Sequence, residues 1–265
     1  MRIRLFVLAL SLWSLTDALG AGFESIKVVK ASEHGHIIAV GYSANIGVID
    51  LEDGVLLIDA AINESKLEEL VAWVSSQYRK PIKYIMNTHE HADHNKNNGY
   101  FIERGAAILQ QPNKSLGLEV QALTSHTQND KVIFHQPTGW VFAGDLYSSN
   151  WHPVFYAGGT AGVKLSADII KGFGDSHTLV VPGHGIPQSK AIYLTYVENT
   201  LLWINAVKER YAADMTIEQS MQDKELRKIA MEFIDIEGNP NCYSSNQFRR
   251  FIERTYSVIE QELKD

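Results

Sequence analysis

Residues 88–95, with the sequence Thr-His-Glu-His-Ala-Asp-His-Asn, constrain this chain more than any other feature. In an extended backbone, side chains two positions apart point the same way. His89, His91 and Asp93 can therefore share one side while His94 turns to another, which suits two neighbouring metal ions better than one. The chain has ten histidines in 265 residues, so three within six positions beside an aspartate indicate a ligand set rather than a polar loop. Neutral imidazole with carboxylate is the usual ligand chemistry for zinc and similar ions.

The block resembles the His-x-His-x-Asp-His signature of the metallo-β-lactamase superfamily. The family pattern continues with three more ligand positions, and the chain matches each of them in order. They are His126 after an apolar segment, Asp145 in a Gly-Asp pair and His184 in a Pro-Gly-His-Gly turn. The resemblance covers about residues 36–190. It implies an α/β fold, the four-layer αββα sandwich, with the metals where strand ends from both halves meet.

The resemblance also implies a role for each ligand. One metal is held by His89, His91 and His126, the other by Asp93, His94 and His184, and Asp145 bridges the two. Asp59 ends the apolar run at residues 55–58 and is expected to support the ligand loop from behind, because a metal-bound histidine needs an acceptor for its other ring nitrogen. The alternative for Asp59 is an ordinary strand-end aspartate that accepts turn hydrogen bonds.

The implied cofactor is two zinc ions per chain, with iron or manganese as other metals that such ligands hold. A metal-bound hydroxide would be the nucleophile, and Asp93 the catalytic residue that orients it and accepts its proton. In the largest subclass of true β-lactamases, a cysteine stands where this chain has Asp145, and a lysine stands where it has Ser148. The expected substrate is therefore a small carbonyl ester, thioester or lactone, with β-lactam hydrolysis as a side activity.

Three alternatives stay open at this point. The first is an iron-dependent oxidoreductase of the same fold, similar to persulfide dioxygenases, and the second is a dedicated metallo-β-lactamase. The third is a non-catalytic binding protein. The loop after Asp145 is the expected substrate rim, with Trp151, His152 and Tyr156 as its residues, although these aromatic side chains could instead pack the loop onto the body. The segment after Gln110 is shorter than is usual in the family, which predicts either a more open site on that side or a site that another segment covers there.

The two ends of the chain carry separate expectations. Residues 1–20 have a basic start, an apolar stretch of eleven residues and a small-residue cleavage site, which predicts a signal peptide. We therefore expect a protein exported to the periplasm or secreted, without a stable membrane anchor after cleavage. Residues 21–265 would form one hydrolase domain whose part from about 190 onward is helical. The sequence indicates no oligomeric state.

Composition excludes some classes of partner. The formal net charge is −7 and no cluster of lysine and arginine is present, which argues against nucleic acid as a partner. Cys242 is the single cysteine, so no intrachain disulfide can form.

Local patterns predict individual elements. A helix is expected over residues 63–78, with Ser65 and Glu68 as a capping box, and shorter helices over residues 96–104 and 166–172.

Overall fold

The computed structural model describes residues 26–40, 43–149, 151–233 and 244–264. The predicted signal peptide and Cys242 lie outside these residues. Among the helices of the described residues, none has the length and apolar character that crossing a membrane requires.

The first sheet has six strands in chain order. They are β1 (Ile26–Ser32), β2 (Gly35–Val40), β3 (Ile46–Leu51), β4 (Gly54–Ile58), β5 (Ile82–Met86) and β6 (Ala107–Ile108). The first four strands pair antiparallel, whereas β5 and β6 join in parallel. A parallel connection needs a crossover, and α1 (Leu67–Tyr78) supplies it between β4 and β5.

The second sheet has five strands in the order β11, β10, β9, β8, β7. They are β7 (Leu118–Leu123), β8 (Asp130–His135), β9 (Trp140–Ser148), β10 (Leu179–His184) and β11 (Gln188–Ser189). Only β9 and β10 pair in parallel, and α4 (Gly159–Gly172) is the crossover between them. Among the strands that pair in parallel, β5 in the first sheet and β9 and β10 in the second contain or precede most of the predicted ligands.

Three clusters of buried apolar side chains separate four layers. One cluster lies between the sheets, with Ile49, Ile58 and Met86 from the first sheet and Ile133 and Phe142 from the second. A second cluster fills the space between the first sheet and α1, and a third lies between the second sheet and the remaining long helices. Because each sheet is covered on both faces, the predicted αββα architecture is confirmed.

The last part of the chain is helical, as predicted. It contains α5 (Lys190–Ala212), α6 (Ile217–Met221), α7 (Lys224–Met231) and α8 (Ser245–Glu262). Trp203 of α5 stacks on Phe251 of α8 at a centroid distance of 4.0 Å, and its indole nitrogen donates a hydrogen bond to Thr255 at 2.9 Å. These contacts join α8 to the third cluster and hence to the second sheet.

Two predicted helices differ from the structure near the first sheet. A 3₁₀ turn, Glu64–Lys66, precedes α1, and the Asn63 side chain accepts the Ser65 N–H at 3.1 Å. The predicted capping box is therefore wrong, because Asn63 caps the chain one turn earlier. The helix predicted over 96–104 is two short helices, α2 (Ala92–Asn95) and α3 (Asn98–Ile102).

The helix predicted over residues 166–172 begins earlier, at Gly159. Its first turns are rich in glycine, which is a poor helix former and therefore predicts a loop. A Cβ at Gly162 would lie 2.5 Å from the carbonyl oxygen of Thr124, so close packing against that loop requires glycine there.

Candidate metal centre

The predicted ligands lie at or near the ends of strands from both sheets. β5 leads into the loop with His89 and His91, and α2 then carries Asp93 and His94 on its first turn. In the second sheet, His126 follows β7, Asp145 lies within β9, and His184 is the last residue of β10. Seven residues from four separate parts of the sequence thus meet where the two sheets end.

The seven side chains form two groups that share Asp145. In each group, the candidate ligand atoms all lie within 4.8 Å of one another. The groups are His89, His91, His126 and Asp145, and Asp93, His94, Asp145 and His184. This is the division that the family resemblance implies, with Asp145 common to both groups.

Distances within the groups are those of side chains that converge on common points. His126 Nε2 lies 3.0 Å from His91 Nδ1 and 3.6 Å from Asp145 Oδ2. On the other side, Asp145 Oδ1 lies 3.3 Å from His94 Nε2 and 3.7 Å from His184 Nε2. The two Asp145 oxygens therefore face different groups, as a bridging carboxylate requires.

Buried polar atoms without partners test whether metals fit this site. His89 Nε2, His94 Nε2 and Asp145 Oδ1 are buried and accept or donate no hydrogen bond among the described residues. A buried polar atom left unpaired costs roughly 1–3 kcal/mol, so such atoms are rare without a reason. All three point into the two groups, and nitrogen with carboxylate oxygen is the donor set that zinc prefers. The residues present therefore fit two metal ions.

The electrostatics of the site favour cations. Burial, with the nearby His94, lowers the pKa of His89 to about 4, so His89 is neutral and keeps a lone pair. A hydrogen bond from His184 is the main reason that the pKa of Asp93 falls to about 2. Burial alone would raise the pKa of Asp145, but the ion pair with His94 and the other surrounding imidazoles lower it instead. Both carboxylates are therefore ionised at neutral pH.

His94 holds a proton when no metal is present. Its burial opposes a charge, but the carboxylates of Asp59 and Asp145 outweigh burial and raise the pKa of His94 to about 10. Because a histidine ligand must be neutral, metal binding at this group would release that proton.

Asp59 occupies the supporting position expected of it. Its Oδ2 accepts hydrogen bonds from His94 Nδ1 at 3.0 Å and from the Thr88 hydroxyl at 2.7 Å. Its Oδ1 accepts the Thr88 N–H at 2.8 Å. The carboxylate therefore fixes the His94 ring and the start of the ligand loop together, and it is more than an ordinary strand-end aspartate.

Further supporting groups were not predicted from the sequence. His126 Nδ1 lies 3.0 Å from the carbonyl oxygen of Val154, and a backbone carbonyl has no residue signature. Asp130 accepts the N–H groups of Ser125 and Thr127, which flank His126, at 3.0 Å and 2.9 Å. An aspartate four residues after the ligand was the available signal for Asp130.

Glycines next to two ligands leave room for the site. A Cβ at Gly183 would clash with Asp145 Oδ1, and a Cβ at Gly144 would clash with the Thr88 hydroxyl. Gly144 also has a φ of 53°, which disfavours other residues. The Gly-Asp and Pro-Gly-His motifs therefore require glycine because their backbones approach neighbouring side chains closely.

The predicted rim residues lie on residues 151–158, which we call the rim segment. Trp151 and Tyr156 are half-buried and pack against the third apolar cluster. His152 is only 6% exposed, and its ring stacks on Phe251 of α8 at a centroid distance of 4.2 Å. The structure thus places His152 in the interior rather than at the rim, because α8 covers this face of the loop.

The short connection after Gln110 is a compact turn. It contains a 3₁₀ turn, Lys114–Leu116, and Asn113 pairs with Leu118 at the start of β7. It therefore joins β6 to β7 without another long helix.

Comparison with known proteins agrees with the motifs and the fold. A family model described as the metallo-beta-lactamase superfamily matches residues 39–109. No curated protein matches the chain.

Among solved structures, a metallo-beta-lactamase from Pontibacter korlensis superimposes with a TM-score of 0.50 at 18% identity, covering 66% of this chain and 100% of that one. The VMB-1 structure superimposes with a TM-score of 0.55 at 17% identity, covering 68% of this chain and 98% of that one. The DIM-1 metallo-beta-lactamase superimposes with a TM-score of 0.53 at 15% identity, covering 66% of this chain and 95% of that one. At these identities the likeness establishes the fold, and about a third of this chain has no counterpart in these structures.

Proposed function

We propose that this chain, which has the metallo-β-lactamase fold and the ligand motifs of that superfamily, is an exported binuclear zinc hydrolase that acts on a carbonyl ester, thioester or lactone. One observation carries the proposal: two ligand groups share Asp145 and leave three buried ligand atoms without a hydrogen bond. A single structural zinc would use four of these ligands and leave the other group unexplained.

Two bound zinc ions would lower the pKa of water to near 7 and polarise the oxygen of the substrate carbonyl. The residues around them determine where the water and its proton are held. Asp93 is ionised, and its side chain is 52% exposed, so it can accept a hydrogen bond from water at the mouth of the site. Its Oδ2 lies 3.2 Å from His184 Nε2, which fixes the direction of the carboxylate. Asp93 is therefore placed to orient the attacking water and accept its proton.

The substrate preference rests on Asp145 and Ser148. An aspartate bridge gives both groups a shared anionic ligand, in place of the cysteine that the largest subclass of true β-lactamases has there. Ser148 replaces the lysine that binds the carboxylate of the drug in that subclass. Without that charge-assisted hydrogen bond, worth about 1.5–3 kcal/mol, β-lactams would bind roughly one to two powers of ten more weakly. We therefore place β-lactam hydrolysis as a side activity.

The proposal is tested with a substrate panel on the purified full chain. The protein is freed of metal, reloaded with zinc or with ferrous iron, and assayed with an aryl ester, a thioester, a lactone, a cephalosporin and a phosphodiester. We expect zinc-dependent turnover of one of the first three substrates and slow turnover of the cephalosporin. Cephalosporin hydrolysis at a catalytic efficiency on the order of 10⁶ M⁻¹s⁻¹ would instead identify a dedicated β-lactamase. Oxygen consumption with a persulfide by the iron form alone would identify an oxidoreductase.

Export is tested separately. Fractionation of the expressing cells should find the protein outside the cytoplasm, with a new N-terminus close to residue 21. A cytoplasmic protein that retains Met1 would contradict this part of the proposal.

A further inference from the structure

We propose that α8 is a positioning element for the metal centre, because it fixes the rim segment whose Val154 carbonyl orients the ring of His126. The inference rests on the proposed metal site. It assigns to Arg254 and Glu262 a role that neither the ligand motifs nor the superfamily fold predicts.

The first step is the contact between His126 and the rim segment. His126 Nδ1 donates to the Val154 carbonyl oxygen at 3.0 Å, which leaves the Nε2 lone pair directed at His91 and Asp145. The hydrogen bond at one ring nitrogen determines which tautomer and which ring orientation the other nitrogen offers to a metal. The position of one backbone carbonyl therefore determines how well His126 can serve as a ligand.

The rim segment has no helix or strand of its own to hold that carbonyl. On the side of the ligand loop, the N–H groups of Ala157 and Gly158 both donate to the Ser125 carbonyl, at 3.1 Å and 2.9 Å. These bonds tie the end of the segment to the residue before His126. The stretch that contains Val154 is held instead by Phe155, which is buried in the third cluster, and by contacts with α8.

Helix α8 contacts the rim segment and the start of α4 at three places. Phe251 stacks on His152, two residues before Val154. The Arg254 guanidinium carbon lies 5.0 Å from the centroid of the Tyr156 ring, within the range of a cation–π interaction. Glu262 accepts the Thr160 N–H at 2.7 Å, at the first turn of α4, where a carboxylate is favourable. The helix thus holds the rim segment on either side of Val154 and holds the chain again just after the segment ends.

Arg254 is exposed and Glu262 is partly exposed, so both can be changed without opening the core. The test variant is Arg254→Ala combined with Glu262→Gln in the full-length protein. The matched control is Arg249→Ala combined with Glu260→Gln, which makes the same charge changes on the same helix. Arg249 pairs with Glu218 of α6 and with Glu253, and Glu260 is exposed.

The measurement is the affinity of the two metal-binding steps, obtained by titrating metal-free protein with zinc against a chelator and followed with cobalt absorption spectra. Changing an outer partner of a ligand typically lowers metal affinity 10–100-fold. Because α8 acts through the rim segment, we expect about a 10-fold loss at one step, an altered cobalt spectrum, and an unchanged second step. The control should bind both metals as the original chain does, and Arg254→Lys, which keeps the cation, should bind nearly as well.

Other outcomes separate this inference from the proposed function. If the original chain binds no zinc, the proposed function fails. If the original chain binds two ions and the test variant binds both with the affinities of the original chain, α8 only packs against the body and this inference is overturned. Equal losses at both steps would also overturn it. Should the double variant fail to fold, as judged by circular dichroism, Arg254→Ala alone supplies the same comparison against Arg249→Ala.

Discussion

Replacing Asp93 tests the proposed chemistry, and metal content is measured alongside because Asp93 is also a candidate ligand. It is the most exposed of the carboxylates at the site and lies 3.2 Å from His184 Nε2. Asp93→Asn keeps the size of the side chain but removes the charge that accepts a proton. A general base typically raises the rate of the chemical step about 10²–10⁴-fold. We expect kcat on any working substrate to fall by that factor when zinc is supplied at a concentration that restores the metal content of the original chain, as measured by elemental analysis. Glu103→Gln, an equal charge change at an exposed position, should keep its activity.

Asp59 should act on metal affinity rather than on chemistry. Its carboxylate accepts three hydrogen bonds, from His94, the Thr88 hydroxyl and the Thr88 N–H. In Asp59→Asn, the amide nitrogen replaces one acceptor oxygen with a donor, so at least one of these bonds is lost. We expect zinc affinity to fall about 10–100-fold, measured by chelator competition. Asp53→Asn, at the exposed turn before β4, is the control, and equal affinities for both variants would refute the supporting role of Asp59.

Gly183 tests the close packing around the bridge. An alanine Cβ there would occupy the space of Asp145 Oδ1, so the carboxylate must move away from both groups. We therefore expect Gly183→Ala to lose most of both metals while it keeps the circular dichroism spectrum of the fold. Gly99→Ala in α3, where a Cβ meets nothing within 4 Å, should bind metal normally. A Gly183→Ala protein with two tightly bound ions would contradict the steric argument.

At the scale of single elements, β8 ends in a histidine that should make stability depend on pH. His135 is only 1% exposed, and its Nδ1 lies 3.0 Å from the Thr138 hydroxyl oxygen. Burial, together with the positive charge of His34, lowers the pKa of His135 from 6.5 to about 4. Between about pH 4 and 6.5 the unfolded chain binds the proton more readily, so the free energy of unfolding falls as the pH is lowered through this window.

Replacing His135 isolates this contribution. Compared with the original chain, His135→Gln should lose less stability between pH 7.5 and pH 4.5, by an amount on the order of 2 kcal/mol. Urea unfolding at the two pH values measures the difference. His177→Gln, at an exposed loop position, is the control. Equal pH dependence in the original chain and His135→Gln would show that His135 becomes charged without cost.

The elements themselves were predictable to different degrees. The strand Ile82–Met86 and the helical part after Lys190 follow from runs of apolar residues with clear spacing. The start of α4 was not predictable, because its glycines are selected by contact with the Thr124 carbonyl, a long-range contact that local propensity does not encode. The Val154 carbonyl was equally hidden, since its role depends on where the backbone passes and not on its side chain.

At the scale of the whole molecule, the ligands connect the two sheets. His89, His91, Asp93 and His94 follow strands of the first sheet, whereas His126, Asp145 and His184 belong to the second. Their order and spacing predicted which residues meet because the family resemblance supplied the topology. The covering of the rim by α8 was not predictable, since it depends on how the last helix packs.

Metals that join both sheets should also stabilise the whole molecule. A ligand that binds only the folded state at 100 times its dissociation constant adds about 2.7 kcal/mol. In a chain of this size, each kcal/mol shifts Tm by about 2–4 °C, so removing zinc should lower Tm by roughly 5–11 °C. Calorimetry with and without chelator measures this shift, and re-added zinc should reverse it while elemental analysis returns to two ions per chain. Asp145→Ala, which removes the shared ligand, should show little response to chelator. A count of one ion that persists in excess zinc would refute the binuclear site, and an unchanged Tm after proven metal loss would show that the two sheets are joined without it.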